Sequence, residues 1–162
     1  MPQPTMLTMQ FFTDEMFEAG TAHESYLRYW IANRKRLPNC ILRINRGMLP
    51  DHFFTTLTDA IDLHDARLQT VNADLPNVAL HFQGDNHGAL RDIMLHYTGV
   101  TACTPIPHRL LADEPQSDLM CHETTIVEVN KFNHRMLFAS SDIMSIDFTA
   151  LGIESVDHPQ PA

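Results

Sequence analysis

Three cysteines, six glycines and eleven basic residues are all that this 162-residue chain holds of those types. Each shortage excludes something. Cys40, Cys103 and Cys121 are odd in number and show no CxxC spacing, so neither a disulfide framework nor a paired-thiolate zinc site is expected. A chain of this length removes about 70% of its unfolded surface from water and folds without such staples. No GxGxxG or GxxxxGK[ST] is present to cradle a dinucleotide or a nucleoside triphosphate. GxSxG, HExxH and the EF-hand loop are missing too, which removes the common catalytic signatures and leans the reading away from an enzyme. No apolar run approaches the ~20 residues that cross a bilayer. The start MPQPTMLTMQFF has no basic region, and Thr8 and Gln10 break its apolar stretch. No signal peptide is therefore expected, and a soluble, cytoplasmic protein is.

Positive charge is scarce as well: 20 acidic residues against 11 basic ones give a formal charge of -9. A phosphate backbone rewards positive proteins, so general nucleic-acid or anionic-membrane binding is not expected. The charge is segregated. Residues 1–46 carry six basic and four acidic groups, and residues 47–162 carry five and sixteen. Arg28, Arg34, Lys35, Arg36, Arg43 and Arg46 fall within nineteen positions. Ten histidines make the charge sensitive to pH between about 5 and 7.

What the chain does have is 44% apolar residues, patterned for a folded core. Leu7, Met9 and Phe11 alternate with polar residues as in a strand. Thr13 caps a short helix ending at Gly20, and Thr21-x-x-Glu24 has capping-box spacing for a second helix reaching Arg36, stopped by Pro38 and burying Tyr26, Leu27, Trp30 and Ile31. Residues 40–44 read as a strand. Phe54, Leu57, Ile61, Leu68 and Val71 form one stripe of a helix over 50–73, with Asp59, Asp62 and Asp65 on its solvated face and His64 interrupting the stripe. Residues 78–82 are a strand. Gly84 to Gly88 turns into a further helix with Leu90, Ile93, Met94 and Tyr97 inward and Gly99 as its C-cap, and in that helix Asp92 and His96 are one turn apart. The proline-rich stretch 105–122 is a long loop. Residues 125–129 and 135–139 form a hairpin, and a short helix follows within 142–153. The pattern predicts one compact α/β domain: a mixed sheet with strand–helix alternation through residues 5–104, partly parallel, then a C-terminal antiparallel hairpin, with tails 1–4 and 156–162 frayed.

GDNHG at 84–88 resembles the GDxHG metal-binding segment of calcineurin-like metallophosphoesterases, over those five residues and without that family's companion motifs; the resemblance makes Asp85 and His87 metal ligands. Tyr26, Tyr29 and Trp30 beside Arg34–Arg36 have the composition of a base-stacking, cationic face. Cys121-His122-Glu123 has nucleophile, base and orienting types in a row, but adjacent side chains in an extended segment point apart.

Small size, missing catalytic signatures and segregated charge together point to a regulatory, inhibitory or accessory protein that works by binding another protein, without a cofactor. Its contact candidates are Arg34, Lys35 and Arg36 on the basic stretch, Asp113, Glu114 and Asp118 in the acidic loop, and the hairpin near 130–134. Self-association through opposite charges is a variant of that reading. The alternative is a hydrolase with a divalent metal on Asp85 and His87 and an anionic substrate held by Arg46 and Asn86.

Overall fold

The computed structural model describes residues 7–57, 59–84, 91–104 and 116–157. Three helices come first: α1 (Asp14–Ala19), α2 (Ala22–Asn33) and α3 (Asn39–Leu42), with single 3-10 turns at Arg34–Arg36 and Asp51–Phe54. Eight strands follow among the described residues: β1 (Arg67–Asp74), β2 (Asn77–Gln83), β3 (Arg91–Thr98), β4 (Ala102–Thr104), β5 (Leu119–Glu128), β6 (Lys131–Phe138), β7 (Ile143–Phe148) and β8 (Ala150–Asp157). They form two four-stranded sheets, ordered β1-β2-β3-β8 and β4-β7-β6-β5, in which every pairing is antiparallel. The architecture is mixed α/β, mostly sheet.

The expected parallel component and strand–helix alternation are thus corrected. The stretch expected as a helix over 50–73 is a 3-10 turn, a loop and strand β1; the helix before Gly99 is β3; the helix within 142–153 is β7 and part of β8; and the strand expected at 40–44 is α3. Residues 7–11 form no strand. The physical reason is the same in the misassigned strands. In β3, Ile93, Leu95 and Tyr97 alternate inward while β2 and β8 supply hydrogen bonds on both sides. Tertiary pairing decides between two periods that a short apolar stretch satisfies equally. Leu119–His122, expected at the end of a loop, already belongs to β5.

The elements with strong local signals form as expected. Thr13 accepts from the Met16 N–H at 3.1 Å, and Gly20 ends α1 in the left-handed conformation, φ 73°. Thr21 makes no side-chain cap, so the capping box does not close, and Glu24 pairs with Arg28 instead. β2 buries Val78, Leu80 and Phe82 in strict alternation.

The two sheets are hydrogen-bonded to each other on both sides. On one side β3–β4 and β7–β8 form a single long ladder whose register slips by one residue between Thr98↔Ala150 and Ala102↔Asp147. Gly99 makes the slip possible: its φ is +64°, and a Cβ there would collide with the Thr149 side chain. On the other side β1 meets the start of β5 through the Arg67↔Asp118 bridge, Leu68 N–H to Ser117 and Leu119 N–H to Ala66. Beyond that point α2 covers the outer edge of β5. The hydroxyls of Tyr26 and Tyr29, one helical turn apart, accept the Thr124 and Ile126 N–H groups at 2.9 and 2.7 Å. Tyr26 passes its own proton to Asn45 Oδ1 at 2.6 Å. The core lies between the sheets and under the helices, with Trp30, Tyr26, Tyr97, Phe82 and Phe148 essentially inaccessible.

Candidate binding surfaces

The end of α2, its 3-10 turn and the tip of the β5–β6 hairpin meet at one place. Pro38 halts the helical stretch, and Asn130, at φ 59°, makes the tight turn that brings Glu128 opposite Lys131. Between them lies a hollow of about 490 Å³, with Lys35, Arg36 and Pro38 on one wall and Ile126, Glu128, Val129 and Phe132 on the other, so that two cations outnumber one carboxylate. Val129 is 81% exposed, and Ile31, one helical turn before Lys35, is 62% exposed. Arg36 is exposed and reaches Asn33 Oδ1 at 3.5 Å. Two features separate in the chain, the basic stretch and the hairpin, therefore form one cationic shelf with an apolar tip.

The other expected site residues fare differently. Arg34 turns away from the shelf to sit over the Phe53 ring, 5.7 Å from its centroid. Asp118 is half-buried against Arg67 (2.8 Å), where it fastens the closure between β1 and β5. Arg46 is half-buried in the turn after α3, not at a strand end. Asp85, Asn86, His87, Asp113 and Glu114 lie outside the described residues. The stacking face is corrected: Tyr26 and Trp30 are fully buried and Tyr29 is spent on the edge of β5, so those rings have no face to offer a base. Asp92 and His96 do not form a helical pair, because four residues of strand hold their side chains about 13 Å apart. Asp92 instead meets His81 on β2 at 2.9 Å, and His96 lies 3.6 Å from Glu154 on β8.

Cys121 and Glu123 lie on one face of β5 and His122 on the other, as extended backbone requires, so the three do not converge. Cys121 lines a cleft, and burial, reinforced by the Glu123 charge, pushes its thiol up to about 12. It is a protonated, inert thiol, not a nucleophile. The Glu123 carboxylate accepts the N–H groups of Gln10, Phe11 and Phe12 and so ties the N-terminal segment across the sheet; the Arg135 guanidinium, opposite Glu123 on β6, holds the Thr8 carbonyl. His122 faces the other way, into a buried chain. The Tyr97 hydroxyl is 2.6 Å from His134 Nδ1, and His134 Nε2 is 3.0 Å from His122 Nδ1. With Tyr97 donating, both rings are neutral: His134 donates from Nε2 to His122 Nδ1, and the buried Nε2–H of His122 ends the chain with no hydrogen-bond partner among the described residues. Burial enforces that state: it lowers His122 to about 3, with His64 adding to the effect, and lowers His134 well below the usual histidine range.

The cleft beside Cys121 has a volume of about 570 Å³. Phe17, Met48, Met120, Leu137 and Phe138 supply its apolar lining, and Asp14, His23, Asp62 and His64 its polar groups. The loop carrying Asp62 and His64 is pinned onto β5. Asp62 Oδ1 accepts the His64 N–H at 2.9 Å, the Asp65 N–H donates to Leu119 at 2.8 Å, and His64 Nδ1 meets the Met120 carbonyl at 2.7 Å. Gly47 lets the neighbouring backbone approach, since a Cβ there would sit 2.6 Å from the Asp62 carboxylate. Sequence reasoning missed this cleft because its walls come from separate segments. The interruption of an apolar stripe by His64 was its single local signal.

Comparison of the chain with protein-family models, curated proteins and solved structures gave no match. No described helix is long and apolar enough to cross a membrane.

Proposed function

We propose that this protein acts by binding another protein, in a regulatory, inhibitory or accessory role, through the shelf formed by Lys35, Arg36 and the β5–β6 hairpin. The observation that carries the reading is Val129, an apolar residue 81% exposed at a hairpin tip beside two cations. Single exposed apolar residues are ordinary, but an apolar tip beside a hollow and an arginine has the anatomy of an interface anchor. The partner this surface fits is an acidic face with an apolar recess. Charge governs encounter rate and the apolar tip governs residence.

The test is affinity capture from the native source, followed by reconstitution with the purified partner. Val129→Ser and the double variant Lys35→Glu/Arg36→Glu are each expected to weaken the reconstituted complex at least tenfold. Only the charge reversal should also reduce its salt dependence. Leu75→Asp, at the exposed β1–β2 turn, serves as the control. Undiminished binding by both shelf variants would overturn the reading.

A further inference from the structure

Residues 7–12 run across the face of β5 and β6 that carries Glu123 and Arg135 without joining either strand. Among the described residues no backbone bond links them to a sheet. Side chains hold them instead. The Glu123 carboxylate, 1% exposed, accepts the N–H groups of Gln10, of Phe11 at 2.8 Å and of Phe12 at 3.3 Å, and the Arg135 guanidinium takes the Thr8 carbonyl. Charged groups that bind three N–H groups and a carbonyl recognise main chain, whatever side chains it bears. Selectivity comes from rings. Phe11 lies 5.4 and 5.3 Å from the Tyr26 and Tyr29 centroids, and Phe12 lies 5.1 and 5.3 Å from those of His23 and Tyr26. Met9 is buried as well, whereas Thr8 and Gln10 face solvent.

Glu123 and Arg135 stand directly opposite each other on neighbouring strands, within reach of one another, yet each is spent on this segment. Removing one partner of a buried charge is costly when the charge is left alone. Here it is not left alone. When the segment departs, the two side chains turn toward each other and form a cross-strand ion pair. The segment is therefore bound as a ligand is bound, by groups that have a second arrangement without it.

We propose that this face of β5 and β6 is a peptide-binding site that residues 8–12 fill in cis, and that its ligand in trans is an extended partner peptide of the same chemistry. That chemistry is an apolar residue, one free position, then two adjacent aromatic residues. The site shares no residue with the Lys35–Arg36 shelf and does not depend on it. The segment runs directly into α1, so it plugs the site at a local concentration of millimolar order, and a partner peptide binds by displacing it.

The test uses the full chain and a peptide, LTMQFFT, capped at both ends and copied from residues 7–13. Substitutions in the site weaken segment and peptide together, so the segment and the peptide are altered separately. Phe11→Ala in the chain loosens the plug alone; Phe11 is half-buried, so the fold is kept. By calorimetry this variant is expected to bind the peptide 1:1 and about tenfold more tightly than the wild type. Once peptide is bound, hydrogen exchange at the variant's own amides 10–12 should accelerate while that of β2 stays slow. A peptide N-methylated at both phenylalanines keeps the rings but loses two donors, and should bind at least tenfold more weakly. The peptide LTMQSST, which keeps the donors but loses the rings, should do the same. No binding by the Phe11→Ala chain at millimolar peptide, equal affinity for the N-methylated or the serine peptide, or unchanged exchange at residues 10–12 in the complex would each overturn the proposal.

Discussion

Lowering the pH from 7 to 5 should destabilise this protein through two side chains that never touch solvent. His122 and His134 are buried and neutral, joined to each other at 3.0 Å and to Tyr97 at 2.6 Å. Burial lowers His122 to about 3 in the folded state, whereas an unfolded histidine titrates near 6.5. The sign follows from proton counting. Between these two values the unfolded chain binds a proton that the folded chain refuses, so stability is complete above about pH 7 and falls as the pH drops below 6.5. At pH 5 the gap is about 1.5 pH units, worth about 2 kcal/mol from His122 alone at ~1.4 kcal/mol per unit. His134 acts in the same direction. Thermal unfolding followed by circular dichroism should therefore show a midpoint lower by roughly 4–8 °C at pH 5 than at pH 7 from His122, and more once His134 is added. The His122→Gln/His134→Gln variant should be less stable at pH 7, through lost packing, yet flatter in its pH dependence over this window. A wild-type midpoint that does not move, or a double variant that keeps the full slope, would refute the reasoning.

Further expectations concern how the sheet is held. Tyr26→Phe removes the acceptor of the buried Thr124 N–H and the donor to Asn45, and should cost about 1–3 kcal/mol in denaturant unfolding. Glu123→Ala releases the N–H groups of Gln10, Phe11 and Phe12, so hydrogen exchange at those three amides should accelerate while that of β2 stays slow. Gly99→Ala meets both a positive φ and the Thr149 side chain, and should destabilise by at least about 1 kcal/mol. Thr149→Ala in the same chain should recover the steric share, and a double-mutant cycle measures it.

The parts of this protein that its sequence determined are those where one local rule suffices. Thr13 and Gly20 bound α1 by capping chemistry, Val78-Ala79-Leu80-His81-Phe82 alternates without ambiguity, and the turn at Asn130 joins two apolar stretches into a hairpin. The basic cluster at 34–36 was likewise visible as a cluster. The strands β1, β3, β7 and β8 were not legible, because residues such as Leu68, Val71, Ile93 and Tyr97 fall at spacings that serve a helical stripe as well as a strand face. Only the partners β2, β8 and β6, which satisfy their backbone hydrogen bonds, decide between the two. The candidate surfaces divide the same way. That Lys35 and Arg36 are charged is a property of the chain; that Val129 stands beside them depends on α2 lying along the β5 edge, tied there by two tyrosine hydroxyls. That His64 sits near carboxylates is sequence; that its ring meets the Met120 carbonyl is decided by the docking of the 62–65 loop on β5. Local propensity acts over a few residues, whereas hydrogen-bond satisfaction and burial act across the whole fold, and the binding surfaces of this protein are made by the second.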